Sequence, residues 1–529
     1  MRRRDFLKNT IPAAAILPAI VDGYSVKAFP ASSPLMAALM NPATETDHVL
    51  VIIQLSGGND GLNMVIPVSA YSDYYNARSN VAIAENSILR LDGVSGTGLH
   101  PAMTGMQQLY NEEKLNIVQA VGYPSPNFSH FRATDIWMSG SASDEVINTG
   151  WTGRYLNTEY PNFPEGYPNE TMPDPLAIQI GSITSLTLQG PAMNMGMSIT
   201  NPTSFYNLLN NVIDPAPDTP MGHELTYIRT IARQTNLFAE RIVAAAGLVP
   251  QQAAYPENNP LGEQLKIVAR LVKGGLKTRI YMVGMGGFDT HASQAEAGDT
   301  AAGVHANLLK TLSDAVKAFM DDCKFLQVEE RVMGLTFSEF GRRIRSNSSM
   351  GTDHGAAAPM FIFGKNAVQG ITGNNPSIPS GASVADNIPF QYDFRSVYAS
   401  ILEKWFCVPQ DTLQTILFRN FQRLNIVNDA ACTGNTEEPN QEAGLQLITN
   451  YPNPFTSSTT ISYTTKGGHT LIQIIDMLGR VISTPVDADL RVSGTFTTVF
   501  NSGGLPSGVY YARLQNGATQ QVRPMLKVR

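Results

Sequence analysis

Charged residues are scarce in this chain. They make up 15% of its 529 residues, against about 25% in an average soluble protein. The formal net charge is -7, and no run of Lys or Arg occurs beyond the first eight residues. The basic surface that nucleic-acid binding requires is therefore missing. We expect no nucleic-acid partner and a polar surface made largely of Asn, Ser, Thr and Gln.

Cysteines and long apolar runs are also scarce. The three cysteines, Cys323, Cys407 and Cys432, lie far apart, which excludes a zinc knuckle, a paired-cysteine redox motif and a disulfide network; at most one bridge can form. The apolar stretch from Ile11 to Val21 is shorter than the roughly 20 residues that span a bilayer. No later stretch has transmembrane character, and no nucleotide-binding glycine loop or Gly-x-Ser-x-Gly elbow occurs.

The N-terminus has the features of an export signal. Residues 3–8 read Arg-Arg-Asp-Phe-Leu-Lys, which fits the twin-arginine pattern, and the apolar stretch that follows is typical of a removable leader. We predict a leader over residues 1–41, the twin-arginine translocase as a partner, and export through the periplasm of a bacterial cell. The twin-arginine route carries folded proteins, often those that load a cofactor or metal inside the cell.

From His48 onward, apolar runs alternate with amphipathic stretches. His48–Leu55 is almost entirely apolar, as in a strand buried on both faces of a parallel sheet, and it ends in a turn-rich stretch, Ser56–Gly61. The same patterns predict strands over Asn116–Val121, Thr278–Val283, Arg331–Phe337 and Met360–Gly364, and helices over Pro101–Lys114, Ser129–Ser139, Gly222–Ala246, Leu261–Lys273, Gly303–Met320 and Tyr398–Phe406. This alternation predicts an α/β domain over residues 48–428, with a doubly wound, mostly parallel sheet.

The composition changes after about Asn428. Residues 429–445 are polar and acidic, which predicts a linker. Residues 446–529 contain short runs in which apolar and polar residues alternate, separated by Gly and Pro turns. The predicted strands are Thr459–Tyr463, Thr470–Ile475, Thr495–Phe500 and Gly508–Leu514. This spacing predicts a small C-terminal antiparallel β-sandwich.

Acidic and histidine side chains follow the predicted strands of the α/β domain. Open α/β sheets bind their ligands beyond the carboxyl ends of the strands. The candidate metal ligands are Asp60, Asp289, His291, Glu339, Asp353 and His354, the last two in a glycine-flanked loop. If they converge, such side chains suit one or two divalent cations. The mixture of oxygen and nitrogen donors leaves Zn²⁺, Mn²⁺, Ca²⁺ and Mg²⁺ open.

Ser129 is the candidate nucleophile. At the predicted start of a helix, its hydroxyl would meet the positive end of the helix dipole and free backbone N–H groups. That setting suits an alkoxide beside a metal, or a bound phosphate or sulfate. The alternative is that Ser129 only caps the helix.

Four further residues are candidates for binding a substrate: Asn59, His130, Arg342 and Arg395. An arginine can contact an anionic ester through two N–H groups at once. Arg395 also has Asp393 close by, which favours a structural ion pair. His130, like His305, is a candidate metal ligand or general acid as well.

The tail resembles the C-terminal sorting domain of type IX secretion substrates. The matching segments are Asn450–Phe455, Ile474–Arg480 and Leu505–Tyr511. The resemblance implies the type IX secretion machinery as a partner and a secreted or cell-surface location. The alternative is a carbohydrate-binding or adhesive immunoglobulin-like module.

The main domain resembles a bacterial family known as domain of unknown function 1501. The matching segments are Gln54–Asn63, Ser129–Phe131, Gly287–His291, Ser338–Arg342, Gly351–Gly355 and Asp393–Arg395. That family is grouped with the alkaline phosphatase and sulfatase superfamily. The resemblance therefore implies an alkaline phosphatase-like fold and a divalent metal ion as the cofactor.

The resemblance also implies roles for particular residues. Asp60 would be the ligand after the first strand, Asp289 and His291 would stand for an Asp-x-x-x-His pair, and His354 for a late histidine ligand. The superfamily usually has Asp-His after the penultimate core strand, where this chain has Glu339 followed by Phe. A two-zinc phosphatase site is therefore in doubt, while a one-metal site, a Ca²⁺ or Mg²⁺ site and a lapsed binding site stay open.

These observations lead to two hypotheses of different classes. The first is a secreted, metal-dependent hydrolase of phosphate or sulfate esters, acting on a small molecule or a polysaccharide. The second is a non-catalytic secreted surface protein of the same fold that binds a glycan or another partner. The sequence leaves open whether the protein is an enzyme.

Overall fold

The computed structural model describes residues 19–21, 24–26, 46–161, 163–201, 235–428, 432, 446–451, 455–465, 468–476, 480–490, 494–516 and 519–528. The chain divides into two compact units, whose main segments are Ala43–Gly434 and Asn435–Arg529. The twin-arginine stretch and, apart from residue 432, the predicted linker lie outside the described residues. Across the residues described, no helix combines the length and apolarity needed to cross a membrane.

A short antiparallel hairpin within the predicted leader is formed by β1 (Ala19–Val21) and β2 (Tyr24–Val26). The strands of the first large unit are β3 (Val49–Leu55), β4 (Val65–Ile66), β5 (Leu89–Leu91), β6 (Val94–Leu99), β7 (Leu115–Gly122), β8 (Ala177–Ile180), β9 (Gly196–Ile199), β10 (Ile280–Met285), β11 (Val332–Phe337), β12 (Gly341–Ser346), β13 (Thr352–Gly355), β14 (Ala358–Gly364), β15 (Gly370–Thr372) and β16 (Tyr392–Asp393). Its helices are α1 (Gly61–Met64), α2 (Tyr71–Arg78), α3 (Thr104–Asn111), α4 (His130–Ser139), α5 (Trp151–Glu159), α6 (235–247), α7 (Pro260–Lys273), α8 (Val304–Phe325), α9 (Phe394–Lys404) and α10 (Gln410–Leu417).

The central sheet has the strand order β15-β7-β14-β11-β3-β10-β8-β9, and β16 pairs with β7. Five adjacent strands run parallel to one another, in the order β11-β3-β10-β8-β9. Strand β14, next to β11, is antiparallel to both β11 and β7. The remaining pairs, β15 and β16 with β7, are parallel. The predicted mostly parallel sheet is confirmed.

Helices cover both faces of this sheet because its central strands are apolar on both sides. In β3, Val51 and Ile53 belong to the core that packs against α7 and α8. Leu50 and Ile52, which point the opposite way, belong to the core that contains α9. A strand whose successive side chains are all buried must have a layer on each face, so the predicted doubly wound arrangement is confirmed.

Most predicted elements occur with shifted ends. The predicted helix Gly222–Ala246 falls partly outside the described residues, and its described part is α6. The predicted helix Tyr398–Phe406 starts earlier, at Phe394, because the Asp393 side chain accepts a hydrogen bond from the backbone N–H of Arg395 and caps the helix. The predicted loop that carries Asp353 and His354 is wrong, since both residues lie on β13, paired antiparallel with β12.

The cysteines form one bridge. Cys407 and Cys432 are disulfide-bonded, with their Cα atoms 5.6 Å apart, and Cys323 is a free, buried residue of α8. This agrees with the limit of a single bridge set by the sequence.

The second large unit is a β-sandwich. Its strands are β17 (Gln446–Tyr451), β18 (Ser458–Thr465), β19 (Gly468–Ile475), β20 (Val481–Leu490), β21 (Gly494–Asn501), β22 (Gly508–Asn516) and β23 (Thr519–Lys527). They form two antiparallel sheets, β17-β18-β21 and β20-β19-β22-β23. Ile461 and Phe500 of one sheet share a buried core with Ile472 and Leu514 of the other. The predicted antiparallel β-sandwich is confirmed.

Candidate functional site

The carboxyl ends of β7, β10 and β11 lie at the same edge of the central sheet. Both β10 and β11 run parallel to β3, and β7 has the same direction because β14 is antiparallel to both β11 and β7. His130, at the start of α4, lies after β7; Asp289 and His291 follow β10. Glu339 follows β11, and the β12–β13 hairpin brings His354 to the same edge. Strand direction thus collects side chains that are far apart in the sequence.

Four of these side chains converge, and we call them the His/Asp cluster: His130, Asp289, His291 and His354. Asp289 Oδ1 lies 3.1 Å from both His291 Nε2 and His354 Nε2, and these two nitrogens are 2.9 Å apart. His130 Nε2 lies 3.4 Å from Asp289 Oδ2. The ligand atoms of His130, Asp289 and His354 all fall within 4.8 Å of one another, so the cluster has the residue types and spacing of a metal site.

In each histidine of the cluster, the second ring nitrogen, Nδ1, lies within hydrogen-bonding distance of an oxygen atom. His130 Nδ1 lies 2.9 Å from Glu339 Oε1, and His291 Nδ1 lies 3.1 Å from Asp353 Oδ1. His354 Nδ1 lies 2.9 Å from the backbone carbonyl of Phe128. Carboxylate and carbonyl oxygens only accept hydrogen bonds, so each Nδ1 donates and each Nε2 faces the cluster.

The predicted ligands Glu339 and Asp353 therefore contact the histidines of the cluster through Nδ1. Glu339 is fully buried, and its Oε1 also accepts a hydrogen bond from the backbone N–H of Gly57 at 2.8 Å. Asp353 Oδ1 accepts a second hydrogen bond from Asn347 Nδ2 at 3.1 Å. Carboxylates placed in this way hold the orientation of a metal-binding imidazole.

Gly57 allows the loop after β3 to approach the cluster. Its φ of +122° is disfavoured for residues with a side chain, and a Cβ at this position would lie 2.4 Å from the backbone nitrogen of Asp289. Only glycine fits both the backbone conformation and the close contact.

The predicted ligand Asp60 lies outside the His/Asp cluster. Its carboxylate is buried, and both of its oxygens lie 2.7 Å from Arg78 Nη1. Gln294 Nε2 donates a further hydrogen bond to Asp60 Oδ2 at 2.6 Å. Burial raises the pKa of Asp60, but the charges of Arg78 and His305 outweigh it and hold the pKa below its usual value. The positive charge of Arg78 thus neutralises the Asp60 carboxylate, as a bound metal cation would.

Asn59 and Arg342, the two predicted substrate contacts next to Asp60 and Asp289, both have buried side chains. Asn59 Oδ1 lies 3.0 Å from His305 Nε2, which places the other candidate histidine, His305, in the same buried network. Arg342 is fully buried and donates to four backbone carbonyls and, at 2.7 Å, to Asp289 Oδ1. Arg342 therefore orients Asp289 and ties the surrounding loops together, and no ester can reach it.

Arg395 has the structural role that the sequence favoured. Its Nε and Nη2 atoms donate to the two carboxylate oxygens of Asp393 at 2.8 and 2.6 Å, and Nη1 donates to the Ser141 carbonyl. The side chain is buried, so its contacts are those of a structural ion pair.

Ser129 occupies the N-cap position of α4, as predicted, but its side chain makes no capping hydrogen bond. Its backbone N–H donates to Asn127 Oδ1 at 2.9 Å, and the residue is exposed. The neighbours of Ser129 on either side, Phe128 and His130, both contact the cluster. Ser129 is thus an exposed residue that directly precedes a member of the cluster, and its hydroxyl does not cap the helix.

The pKa values favour the protonation states that bind a metal. Burial raises the pKa of Asp289, but the hydrogen bond from Arg342 and the contact with His354 outweigh it and lower the pKa to about 2. Burial lowers the pKa of His354, and its hydrogen bonds to Asp289 and the Phe128 carbonyl offset this only in part. At neutral pH Asp289 is therefore ionised and His354 is neutral, which are the ligand forms of both residue types.

The sequence analysis named His130 as a candidate substrate contact and, alternatively, as a metal ligand or general acid, but it did not single out Arg78 or Gln294. The signal for His130 was its place at the start of a helix after a strand. Arg78 and Gln294 lie in stretches without a local motif, so nothing in the sequence indicated that they meet Asp60.

Comparisons with known proteins support two regions of the chain. Residues 240–421 match the model of the family described as "Protein of unknown function (DUF1501)". Residues 449–527 match the "Secretion system C-terminal sorting domain". These matches confirm the two resemblances found in the sequence. No curated protein sequence matches the chain.

Several solved structures resemble the chain at low sequence identity. The PsFucS1 sulfatase from a Pseudoalteromonas species is 11% identical, with 86% of this chain and 84% of that chain covered and a TM-score of 0.32. A protein of the alkaline phosphatase superfamily from Vibrio parahaemolyticus is 10% identical, with 91% and 83% covered and a TM-score of 0.30. The alkaline phosphatase of the Antarctic bacterium TAB5 is 10% identical, with 61% and 92% covered and a TM-score of 0.27. Because all three TM-scores are below 0.5, they assign no activity to the chain.

The sorting domain indicates export and a secreted or cell-surface location. The chain therefore contains a region that matches the DUF1501 family model, followed by a region that matches the secretion system C-terminal sorting domain.

Proposed function

We propose that the protein is an exported, metal-dependent hydrolase of phosphate or sulfate esters whose divalent cation is bound by His130, Asp289, His291 and His354. One observation carries this proposal: three imidazole Nε2 atoms face one carboxylate, while all three Nδ1 atoms already donate to oxygen atoms.

This arrangement calls for a cation for electrostatic reasons. In a neutral imidazole whose Nδ1 carries the proton, Nε2 presents a lone pair. His291 Nε2, His354 Nε2 and Asp289 Oδ1 lie 2.9–3.1 Å from one another, so three electron-rich atoms repel unless a cation or protons lie among them. Arg342 supplies only one hydrogen bond to Asp289.

The distances and donor types also fit a transition metal. A cation about 2.1 Å from each ligand atom places those atoms about 3.0–3.4 Å apart. This is close to the 2.9–3.1 Å that separate Asp289 Oδ1, His291 Nε2 and His354 Nε2, and to the 3.4 Å between His130 Nε2 and Asp289 Oδ2. Three nitrogen donors and one carboxylate favour Zn²⁺ over Ca²⁺ and Mg²⁺, since the latter two prefer oxygen ligands. Among the four cations that the sequence left open, we propose Zn²⁺.

When bound, the cation would neutralise the cluster and attract the negatively charged oxygens of an ester. Ser129 would supply the nucleophile, because its hydroxyl is exposed next to His130. A bond from Ser129 Oγ to phosphorus or sulfur would form as the bond to the leaving alcohol breaks, with the serine proton passing to solvent and the leaving oxygen taking one up. Water would then release phosphate or sulfate and restore the hydroxyl.

The leader and the tail together support an export route across two membranes. We propose that the twin-arginine translocase carries the folded protein into the periplasm, and that the type IX secretion machinery then recognises the C-terminal sorting domain. Folding before export would allow the metal to be loaded inside the cell.

Metal content tests the cation site. Protein purified from its own host should contain Zn²⁺ in stoichiometric amount, and a chelator should lower its melting temperature, because a cation that binds only the folded state adds about 2.7 kcal/mol when present at 100 times its Kd. His354→Ala and Asp289→Asn should lose both the metal and the chelator effect. Controls are His469→Ala and Asp314→Asn, each of which removes one member of an ion pair outside the His/Asp cluster. A metal-free wild type that is insensitive to chelator would refute the site.

Ester turnover tests the hydrolase. The metal-loaded wild type should hydrolyse p-nitrophenyl phosphate or p-nitrophenyl sulfate. Ser129→Ala should lose most of this activity and keep its metal, whereas Ser87→Ala, at another exposed serine, should keep both. Full activity of Ser129→Ala would remove the serine from the mechanism. Stoichiometric metal without turnover of either ester class would refute the hydrolase and favour a non-catalytic binding protein.

A further inference from the structure

We propose that Gln294 is a positioning residue that fixes the metal ligands of the His/Asp cluster from beneath, through hydrogen bonds to two threonines that lie beside those ligands. This inference rests on the proposed metal site and adds residues that touch neither metal nor substrate.

The side-chain amide of Gln294 connects three separate segments. Its Oε1 accepts hydrogen bonds from Thr290 Oγ1 at 3.0 Å and from Thr352 Oγ1 at 2.8 Å. Its Nε2 donates to Asp60 Oδ2 at 2.6 Å. All four residues are almost completely buried, so these hydrogen bonds do not compete with water.

The two threonines are adjacent in sequence to residues of the site. Thr290 lies between Asp289 and His291, and Thr352 directly precedes Asp353, the residue before His354. The backbone N–H of Thr352 also donates to the Thr290 carbonyl at 3.1 Å. One amide oxygen therefore holds the two segments that provide three of the four ligands at a fixed separation.

Gln294 is itself held in place from the other side. The Asp60 carboxylate, which accepts the hydrogen bond from Gln294 Nε2, forms an ion pair with Arg78. Arg78 donates through Nε to the Ile344 carbonyl at 3.0 Å and through Nη2 to the Arg343 carbonyl at 2.6 Å, so the network ends on β12, the partner strand of β13. Asp60 thus anchors the support for the site and is not itself a ligand.

Such support matters because metal affinity depends on ligands that are already in place. The ligands are partly exposed, whereas Gln294 and its two threonines form a buried base beneath them. Removal of outer partners of metal ligands typically weakens metal binding by about 10–100-fold. We expect a loss of that size when Gln294 can no longer bind the two hydroxyls.

The test measures Co²⁺ and Zn²⁺ affinity of the full chain after chelator treatment, with the visible absorption of bound Co²⁺ as a second readout. Gln294→Met keeps the size of the side chain but loses both hydrogen-bonding groups, and should raise the Kd by about 10–100-fold and change the Co²⁺ spectrum. Gln252→Met is the matched control, since Gln252 bonds Lys266, Asp322 and Arg270 in the helix layer. It should leave affinity and spectrum unchanged.

Threonine variants keep the proposal testable if Gln294→Met does not fold. Thr352→Val should weaken metal binding. Thr352→Ser, which retains the hydroxyl, should bind the metal with the same Kd as the wild type. In the Gln294→Met background, Thr352→Val should cause no further loss, because both changes remove the same hydrogen bond.

The outcomes separate the two proposals. A wild type that binds neither Co²⁺ nor Zn²⁺ refutes the proposed metal site. A wild type that binds metal while Gln294→Met, or Thr352→Val, binds with the same Kd and spectrum overturns the positioning role alone.

Discussion

His305 should make the stability of the main domain depend on pH. The imidazole is buried beside Asn59 and Phe288. Burial lowers its pKa from 6.5 to about 4; the charges of Arg342 and Arg78 act in the same direction, and Asp60 opposes them. Among the residues that the structure describes, nothing accepts a hydrogen bond from His305 Nδ1, so a proton there would be buried without a partner.

The size of the effect follows from the two pKa values. Between pH 6.5 and about 4, the unfolded chain binds a proton at His305 that the folded chain does not. Stability therefore rises with pH across this window. At about 1.4 kcal/mol for each pH unit, the neutral histidine contributes about 3 kcal/mol above pH 6.5, and this contribution is lost as the pH falls toward 4.

The assay is urea unfolding of wild type and His305→Gln from pH 8 to pH 4.5, with chelator present so that metal release does not contribute. Glutamine keeps a donor for Asn59 and cannot be protonated in this range. At pH 8, where His305 is neutral in both the folded and the unfolded chain, the difference in free energy of unfolding between wild type and variant measures only the change in packing. As the pH falls, the wild type should lose stability more steeply than the variant, by about 2–3 kcal/mol. Parallel pH profiles would refute this account of His305.

Three further predictions follow from particular interactions. Arg342→Met should lower the free energy of unfolding by about 2–4 kcal/mol, because it removes buried hydrogen bonds to four loop carbonyls and an unsatisfied buried acceptor costs about 1–3 kcal/mol; a loss below about 1 kcal/mol in urea unfolding would contradict this. Replacing both Cys407 and Cys432 by Ser opens a bridge between residues 25 positions apart and should cost about 3 kcal/mol, an effect that reducing agent should reproduce in the wild type only. Replacing Arg3 and Arg4 by Lys should retain the protein in the cytoplasm, as cell fractionation would show, and unchanged export would exclude the twin-arginine route.

The central sheet was largely predictable because its signal is local. A strand buried on both faces must be apolar at consecutive positions, and His48–Leu55 shows this directly in the sequence. The tail was predictable for a similar reason, since alternating residues and Gly or Pro turns mark each strand separately. The β12–β13 hairpin was missed because Gly341–Ser346 is rich in arginine, and its pairing depends on contacts with the rest of the unit.

The sequence by itself determined the kinds of residue at the site, and the tertiary structure decided what each one does. Asp289 and His291 could be proposed from their positions after a strand and His354 from its glycine-flanked segment, and these three do converge. Asp60 follows a strand just as clearly, but Arg78 neutralises it. Asp289 also meets an arginine, Arg342, but it stays partly exposed beside the histidines of the cluster, whereas Asp60 is buried. No local pattern in the sequence shows this difference. Ion pairing, burial and hydrogen-bond direction are properties of neighbours in space, and only the fold brings those neighbours together.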